Sequence, residues 1–213
     1  MVPVTRMQKA GHIYYVICRG NGPRPLFSSK EDHQEYLSYL NQARKQFPVD
    51  IYNYVLMPHH IHLLVGPQEE GALSKFMEWV SKRYAKYFNK KYNTIGHVFL
   101  RRYKSFVIQE EKYFLACCRY IDLKPLAEKI VKDPAEYAWS GFNQLAHGEE
   151  GPFKLDHHRG YDDLGKNNSE RKFLYNALVV QGHLQDLDVV NFRGHAIGDK
   201  EFRKKIRDVK GGK

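Results

Sequence analysis

The sequence predicts an α+β fold: a ferredoxin-like split β-α-β antiparallel sheet with helices on one face, plus a small C-terminal helical and basic extension. Three observations predict it. Strand-like and helix-like stretches take turns along the chain in the order β-α-β-β-α-β-α. The stretch YVLMPHHIHLLV, from Tyr54 to Val65, is apolar apart from its histidines, and Pro58 inside it implies a tight turn between two antiparallel strands. From Gly71 the apolar spacing switches from two residues to that of a helix.

In chain order, HIYYVICR from His12 is rich in β-branched and aromatic residues and reads as a strand, and GNGPRP after it as a turn. Ser28 and Glu31 offer a capping box to a helix reaching about Gln46, with Pro48 helping to end it. VDIYNYVLM and HHIHLLVG are the next two strands. The following helix has one apolar stripe, Leu73, Phe76, Met77, Val80, Tyr84 and Phe88, with Lys75, Lys82, Lys86 and Lys90 on the other side. FLRRYKSFVI reads as a strand, and EEKYFLACCRYIDL as a helix stopped by Pro125. Residues 1–148 form the main domain on this reading. Residues 149–213 form an extension: a looser polar segment, a helix near Ser169 to Gln181, and the basic tail FRKKIRDVKGGK.

Composition narrows the function. The 213 residues carry a formal net charge of +10 and are 14% aromatic, a pairing that favours a nucleic-acid partner over a membrane or an acidic small molecule. The three cysteines, Cys18, Cys117 and Cys118, lack C-x-x-C spacing and read as buried thiols rather than a zinc or disulfide framework. No stretch approaches the roughly 18 apolar residues of a membrane span, so the expected location is the cytoplasm, in association with the nucleoid.

Side chains alternate along a strand, so His60 and His62 face one way while His59, Ile61 and Leu63 face the other. Two imidazoles one pleat apart can grip one divalent ion. The plain alternative is a pair of hydrogen-bonded core or edge histidines. On the helix RYIDL, a wheel places Phe114, Cys117, Cys118 and Ile121 inward and Tyr120 on a flank with Tyr113, Ala116 and Lys124.

In order, the motifs MPHHIHLL, GHVFLRRYKSFVI and RYIDLKPLAEKIVKDPAEYAWS resemble those of the single-tyrosine HUH transposases, specifically their REP-associated branch. RGN…LF and LSKFMEWVSKRYAKYFNKKY are also similar to that family, so the resemblance spans about Gly11 to His147. It implies an HUH endonuclease-like fold and a metal-dependent nicking and joining of single-stranded DNA at hairpins through a phosphotyrosine intermediate. By the same resemblance His60 and His62 hold the ion, Mg²⁺ or Mn²⁺, and Tyr120 is the nucleophile; Tyr113, earlier on the same helix flank, is the runner-up on position alone. Arg102 and Lys104 align with a GRYKS segment; with Arg101, Lys82 and Lys86 they are the expected phosphate contacts. A monomer or homodimer is expected.

The sequence departs from the family pattern twice. His59 replaces the usual Asn or Asp. Lys124 stands where the family has the Asn expected as third ligand, and an ammonium has no lone pair to give. The alternative is therefore a catalytically weakened hairpin-DNA binding protein. A third reading, a metal-dependent hydrolase or RNA-binding module on the same scaffold, follows from the independence of fold and function.

Overall fold

The computed structural model describes residues 9–181, 190, 192 and 194–211. Its elements are β1 (Tyr14–Arg19), α1 (Lys30–Arg44), β2 (Val49–Leu56), β3 (His60–Pro67), α2 (Ala72–Tyr92), β4 (Lys104–Ile108), α3 (Glu110–Asp122) and α4 (Lys124–Ala127). They continue as α5 (Phe142–Ala146), α6 (Arg159–Asp162), α7 (Asn168–Val180), β5 (Ala196–Ile197) and α8 (Lys200–Gly211). The sheet order is β2-β3-β1-β4-β5, antiparallel except that β5 joins β4 in parallel. The first four strands make the ferredoxin-like split β-α-β arrangement of an α+β fold.

The α1 cap lies one residue later than the sequence suggests: Ser29 and Asp32 form the capping box, not Ser28 and Glu31. Asp32 wins because it has more partners. Its carboxylate accepts from the Ser28 and Ser29 amides, from the Tyr87 and Tyr92 hydroxyls and from Lys91. Burial opposes its ionisation, but these donors outweigh burial and lower its pKa to about 2. Asp32 thus ties α1 to α2. These two helices cover the sheet face that carries Val16, Cys18, Ile61 and Leu63, with the whole apolar stripe of α2 buried.

α3 adds a layer on the opposite face, where Tyr15, Asn53 and the histidines point. Phe114, Cys117, Cys118 and Ile121 are buried there, and the three cysteines are free thiols. The extension shares this core. Tyr161, Tyr175 and Val179 are buried, and the Asp156 amide donates to the Ile51 carbonyl along β2. Together with residues 139–141 the segment covers the outer edge of β2, which would otherwise offer unpaired backbone groups. The helix expected near Ser169 to Gln181 is α7; the final two residues of the basic tail lie outside the described residues.

One polar cluster joins these parts. A register irregularity in β2 turns Asn53 inward, and its amide donates to Asp122 Oδ1 at 2.9 Å while the Tyr175 hydroxyl donates to Oδ2 at 2.5 Å. Burial pushes Asp122 up to about 7, against the pull of those two donors. Such a group adds stability below its ordinary value of 3.8 that is lost as pH rises through about 7. Asp122→Asn cannot ionise, so the variant is expected to lose less unfolding free energy than the parent across that window. Urea unfolding at a series of pH values tests this, and identical pH dependence in both proteins would contradict it.

Candidate active site

Strand alternation places the histidines as expected. His60 and His62 lie opposite Arg19 and Ile17 of β1 and share their face, and His59 is exposed in the turn before β3. The two imidazoles meet edge to face, with His62 Nε2 2.9 Å from His60 Nδ1. Each has a second partner at its far nitrogen: Tyr15 Oη lies 2.8 Å from His62 Nδ1, and Glu128 Oε1 lies 2.9 Å from His60 Nε2.

Donor and acceptor counting orients this chain. The Glu128 carboxylate accepts from His60 Nε2–H, which leaves a lone pair on His60 Nδ1 to accept from His62 Nε2–H. His62 Nδ1 then accepts from the Tyr15 hydroxyl. The assignment requires neutral rings, and the surroundings keep them so. Burial lowers the pKa of both; His62, only 5% exposed, is held well below its ordinary value, with His60, Lys124 and Arg19 adding to the effect. At His60 the Glu128 carboxylate works the other way. The buried Tyr15 phenol is raised well above its ordinary value by desolvation, so it stays a donor.

Tyr120 is half-buried on the outer flank of α3, its ring 6.5 Å from that of His62 and 6.0 Å from that of Tyr15. Phe192, from the C-terminal extension, packs against it at 5.2 Å. Tyr113 sits two turns earlier; the tyrosines in ring contact with His62 are Tyr15 and Tyr120. Lys124 Nζ stands 4.6 Å from the centre of the Tyr120 ring.

α3 ends at Asp122, ahead of Pro125 as the sequence predicts, and after a one-residue break at Leu123 a further turn follows as α4. Pro125 falls in the first turn of α4, where its missing N–H costs nothing, and backbone bonds from Ala127 to Leu123 and from Glu128 to Lys124 carry the turn on. Tyr120, Lys124 and Glu128 therefore follow one another at helical spacing. Glu128 is not evident from the sequence because it follows a separate short helix, α4, beyond the end of α3; the fourfold spacing from Tyr120 is the available signal. Tyr15 is not evident because a tyrosine in YYVICR looks like an ordinary core residue.

Of the basic residues, Lys104 opens β4 opposite Ile17, on the histidine face of the sheet. Arg101 and Arg102 are exposed just before it, and the Leu100 amide beside them donates to the Arg19 carbonyl. Lys82 and Lys86 are exposed on α2, the helix on the other face, and Lys82 pairs with Glu78 at 2.5 Å. The fold brings neither to the histidines.

The pair can be tested for a metal on its own geometry. His60 Nδ1 and His62 Nε2 converge at 2.9 Å, close to the spacing of about 3 Å for two nitrogens each about 2.1 Å from one ion at a right angle. To free the second lone pair, His62 must move its proton to Nδ1, where the Tyr15 oxygen can accept it. Glu128 reaches the far nitrogen of His60, so it orients that ring rather than adding a donor on the shared side. No group of three or more His, Cys, Asp and Glu suited to an ion occurs among the described residues. The site thus offers two imidazoles, each braced from behind, beside a lysine.

Against known proteins, the profile of the family described as "Transposase IS200 like" matches residues 8–124, and the chain belongs to that family of transposases. A solved structure of a REP-associated tyrosine transposase bound to a REP hairpin is 17% identical with a TM-score of 0.57, over 71% of this chain and 88% of that one. At this identity the likeness establishes the shared fold. No curated protein matches the chain.

The charges around His60 lead to a measurable ordering. Lys124→Gln removes a neighbouring cation and is expected to raise the His60 and His62 pKa values; Glu128→Gln removes the anion and is expected to lower that of His60 further. NMR titration of the ring protons reads both shifts, and the reverse order would contradict the assigned chain of contacts.

Proposed function

We propose that this transposase nicks and rejoins single-stranded DNA beside a hairpin, with Tyr120 as the attacking group. The observation that carries the reading is the placement of Tyr120 beside both the His62 ring and the Lys124 ammonium, within a fold shared with a hairpin-bound transposase. The Tyr120 oxygen would bond to phosphorus as the bond from phosphorus to the 3′-oxygen breaks, releasing a 3′-hydroxyl. Because one phosphate ester replaces another, attack by a 3′-hydroxyl reseals the strand without ATP.

His60 Nδ1 and His62 Nε2 are the groups to hold a Mg²⁺ or Mn²⁺ ion, which when bound supplies charge neutralisation at the scissile phosphate. Lys124 brings a point charge to the same place and can contact a phosphate oxygen directly. Tyr15 and Glu128 hold the imidazoles in orientation from their far nitrogens. Lys104, Arg101 and Arg102 lie on or beside the same face to contact the strand's phosphates. The setting for this work is the cytoplasm, on chromosomal DNA.

Lys124 also supports a second reading, a hairpin-binding protein with weakened catalysis. Its cation, with Arg19, opposes a divalent ion at the histidine pair, and the pair's mutual hydrogen bond competes with that ion. Incubation with hairpin-bearing single-stranded DNA and manganese, followed by a denaturing gel, separates the two: a covalent protein–DNA species supports the transposase, and tight binding without one supports the weakened form.

In that assay Tyr120→Phe is expected to abolish the adduct and leave hairpin affinity within about twofold, since only a hydroxyl is lost. An unchanged adduct would transfer the role to another residue, Tyr113 first.

Metal dependence gives a separate test. His60→Ala and His62→Ala are each expected to lower manganese affinity by at least about tenfold, whereas His59→Ala, exposed and turned away, leaves it near the parent value. Lys124→Asn is expected to raise both manganese affinity and cleavage rate. If all three histidine variants behave alike, the two-imidazole site is wrong; if Lys124→Asn changes neither quantity, position 124 is not the third-ligand position.

A further inference from the structure

The basic C-terminal tail lies beyond the segment matched by the family profile. It forms α8, with six basic and two acidic side chains over twelve residues. Its position is fixed from several sides. The Asp199 amide donates to Gln109 Oε1, the Gln109 amide donates back to Asp199 Oδ2, both at 2.9 Å, and Asp199 Oδ1 caps the Phe202 amide. Phe202 and Ile206 pack on the core, so the charged side of the helix is held outward along β5. Between them lies a cavity of about 340 Å³ lined by His195, Lys200, Arg203, Lys204, Ile206 and Arg207.

We propose that this cavity between α8 and β5 is a second phosphate-contact site, which holds the backbone of the DNA strand running from the Tyr120 centre. Two observations select a DNA backbone over other anions. The concentration of Lys and Arg around one concave surface suits a polyanion, since each neutralised phosphate releases counterions. Its location is the other. His195 is three residues from Phe192, whose ring touches Tyr120 at 5.2 Å, and three residues of extended chain span at most about 10 Å. The rim is therefore within reach of a strand bound at Tyr120. Of the acids on or beside α8, Asp199 is engaged by Gln109 and the Phe202 amide, and Asp208 pairs with Arg207 at 3.7 Å where both are exposed, a contact of little strength in water that a phosphate can displace.

This inference rests on the DNA reading of the Tyr120 site, but its test separates the two. Binding of a hairpin oligonucleotide and of unstructured oligothymidine is measured against salt for the full-length parent, for Arg203→Gln/Lys204→Gln/Arg207→Gln, and for Lys30→Gln/Lys45→Gln, exposed at the two ends of α1, as a charge-loss control on the far face. The triple variant is expected to bind both DNAs at least about tenfold more weakly, with the slope of log affinity against log salt reduced by about 2, at about 0.7 for each single-strand contact. An unchanged thermal midpoint and an unchanged adduct yield at saturating DNA show that folding and the Tyr120 centre survive. If the triple variant keeps the parent slope, or the control weakens binding equally, the site is overturned; so it is if the parent binds neither DNA. If the parent forms no adduct and shows no hairpin preference, while the triple variant still loses slope on oligothymidine, the nicking reading fails and the phosphate site stands.

Discussion

The hydrogen bond between the buried Tyr15 hydroxyl and His62 Nδ1, 2.8 Å long, is the contact on which the site depends. His62 is almost wholly enclosed, and an enclosed imidazole without partners is costly. Tyr15 supplies one partner and His60 the other, and His60 in turn is held by Glu128. The same chain that satisfies the buried polar atoms also aims two ring nitrogens at one point. Core packing and site geometry are here one problem with one solution.

The ferredoxin-like topology makes that solution possible. Because β3 lies between β1 and β2, His62 has β1 with Tyr15 on one side and β2 with Asn53 on the other. Asn53 grips Asp122 near the end of α3, and Tyr175 of α7 grips the same carboxyl from the extension. The helix bearing Tyr120 is thereby fixed in height and rotation relative to the histidines. Its partly exposed ring then packs at the margin of the core against Tyr15, beside the lysine and the imidazole. The one-residue break at Leu123 matters too, since without the continued turn neither Lys124 nor Glu128 would return to this face.

Much of this is legible in the sequence. The period-two pattern of HHIHLLV placed His60 and His62 together and His59 apart, and the apolar stripe of α2 was correct residue by residue. The flank position of Tyr120 also followed from helical spacing. What escaped notice were residues whose types are ambiguous. A tyrosine in a strand is usually packing, so Tyr15 carried no signal as a histidine partner, and Glu128 lay beyond a proline read as a stop. The lysines of α2 looked equivalent to those near β4 because charge alone does not say which face of a sheet a helix covers. The contribution of residues after Gly148 to the core was hidden by their polar composition, their buried tyrosines being spread among charged neighbours.

The central claim is that Tyr120 is the atom-level link between protein and DNA. It is tested most directly by digesting the protein after reaction with a hairpin oligonucleotide and locating the nucleotide-bearing peptide by mass spectrometry. The account predicts the added nucleotide mass on the phenolic oxygen of Tyr120. Recovery of that mass on a different residue, or its absence from every peptide of a protein that binds the hairpin tightly, would contradict it.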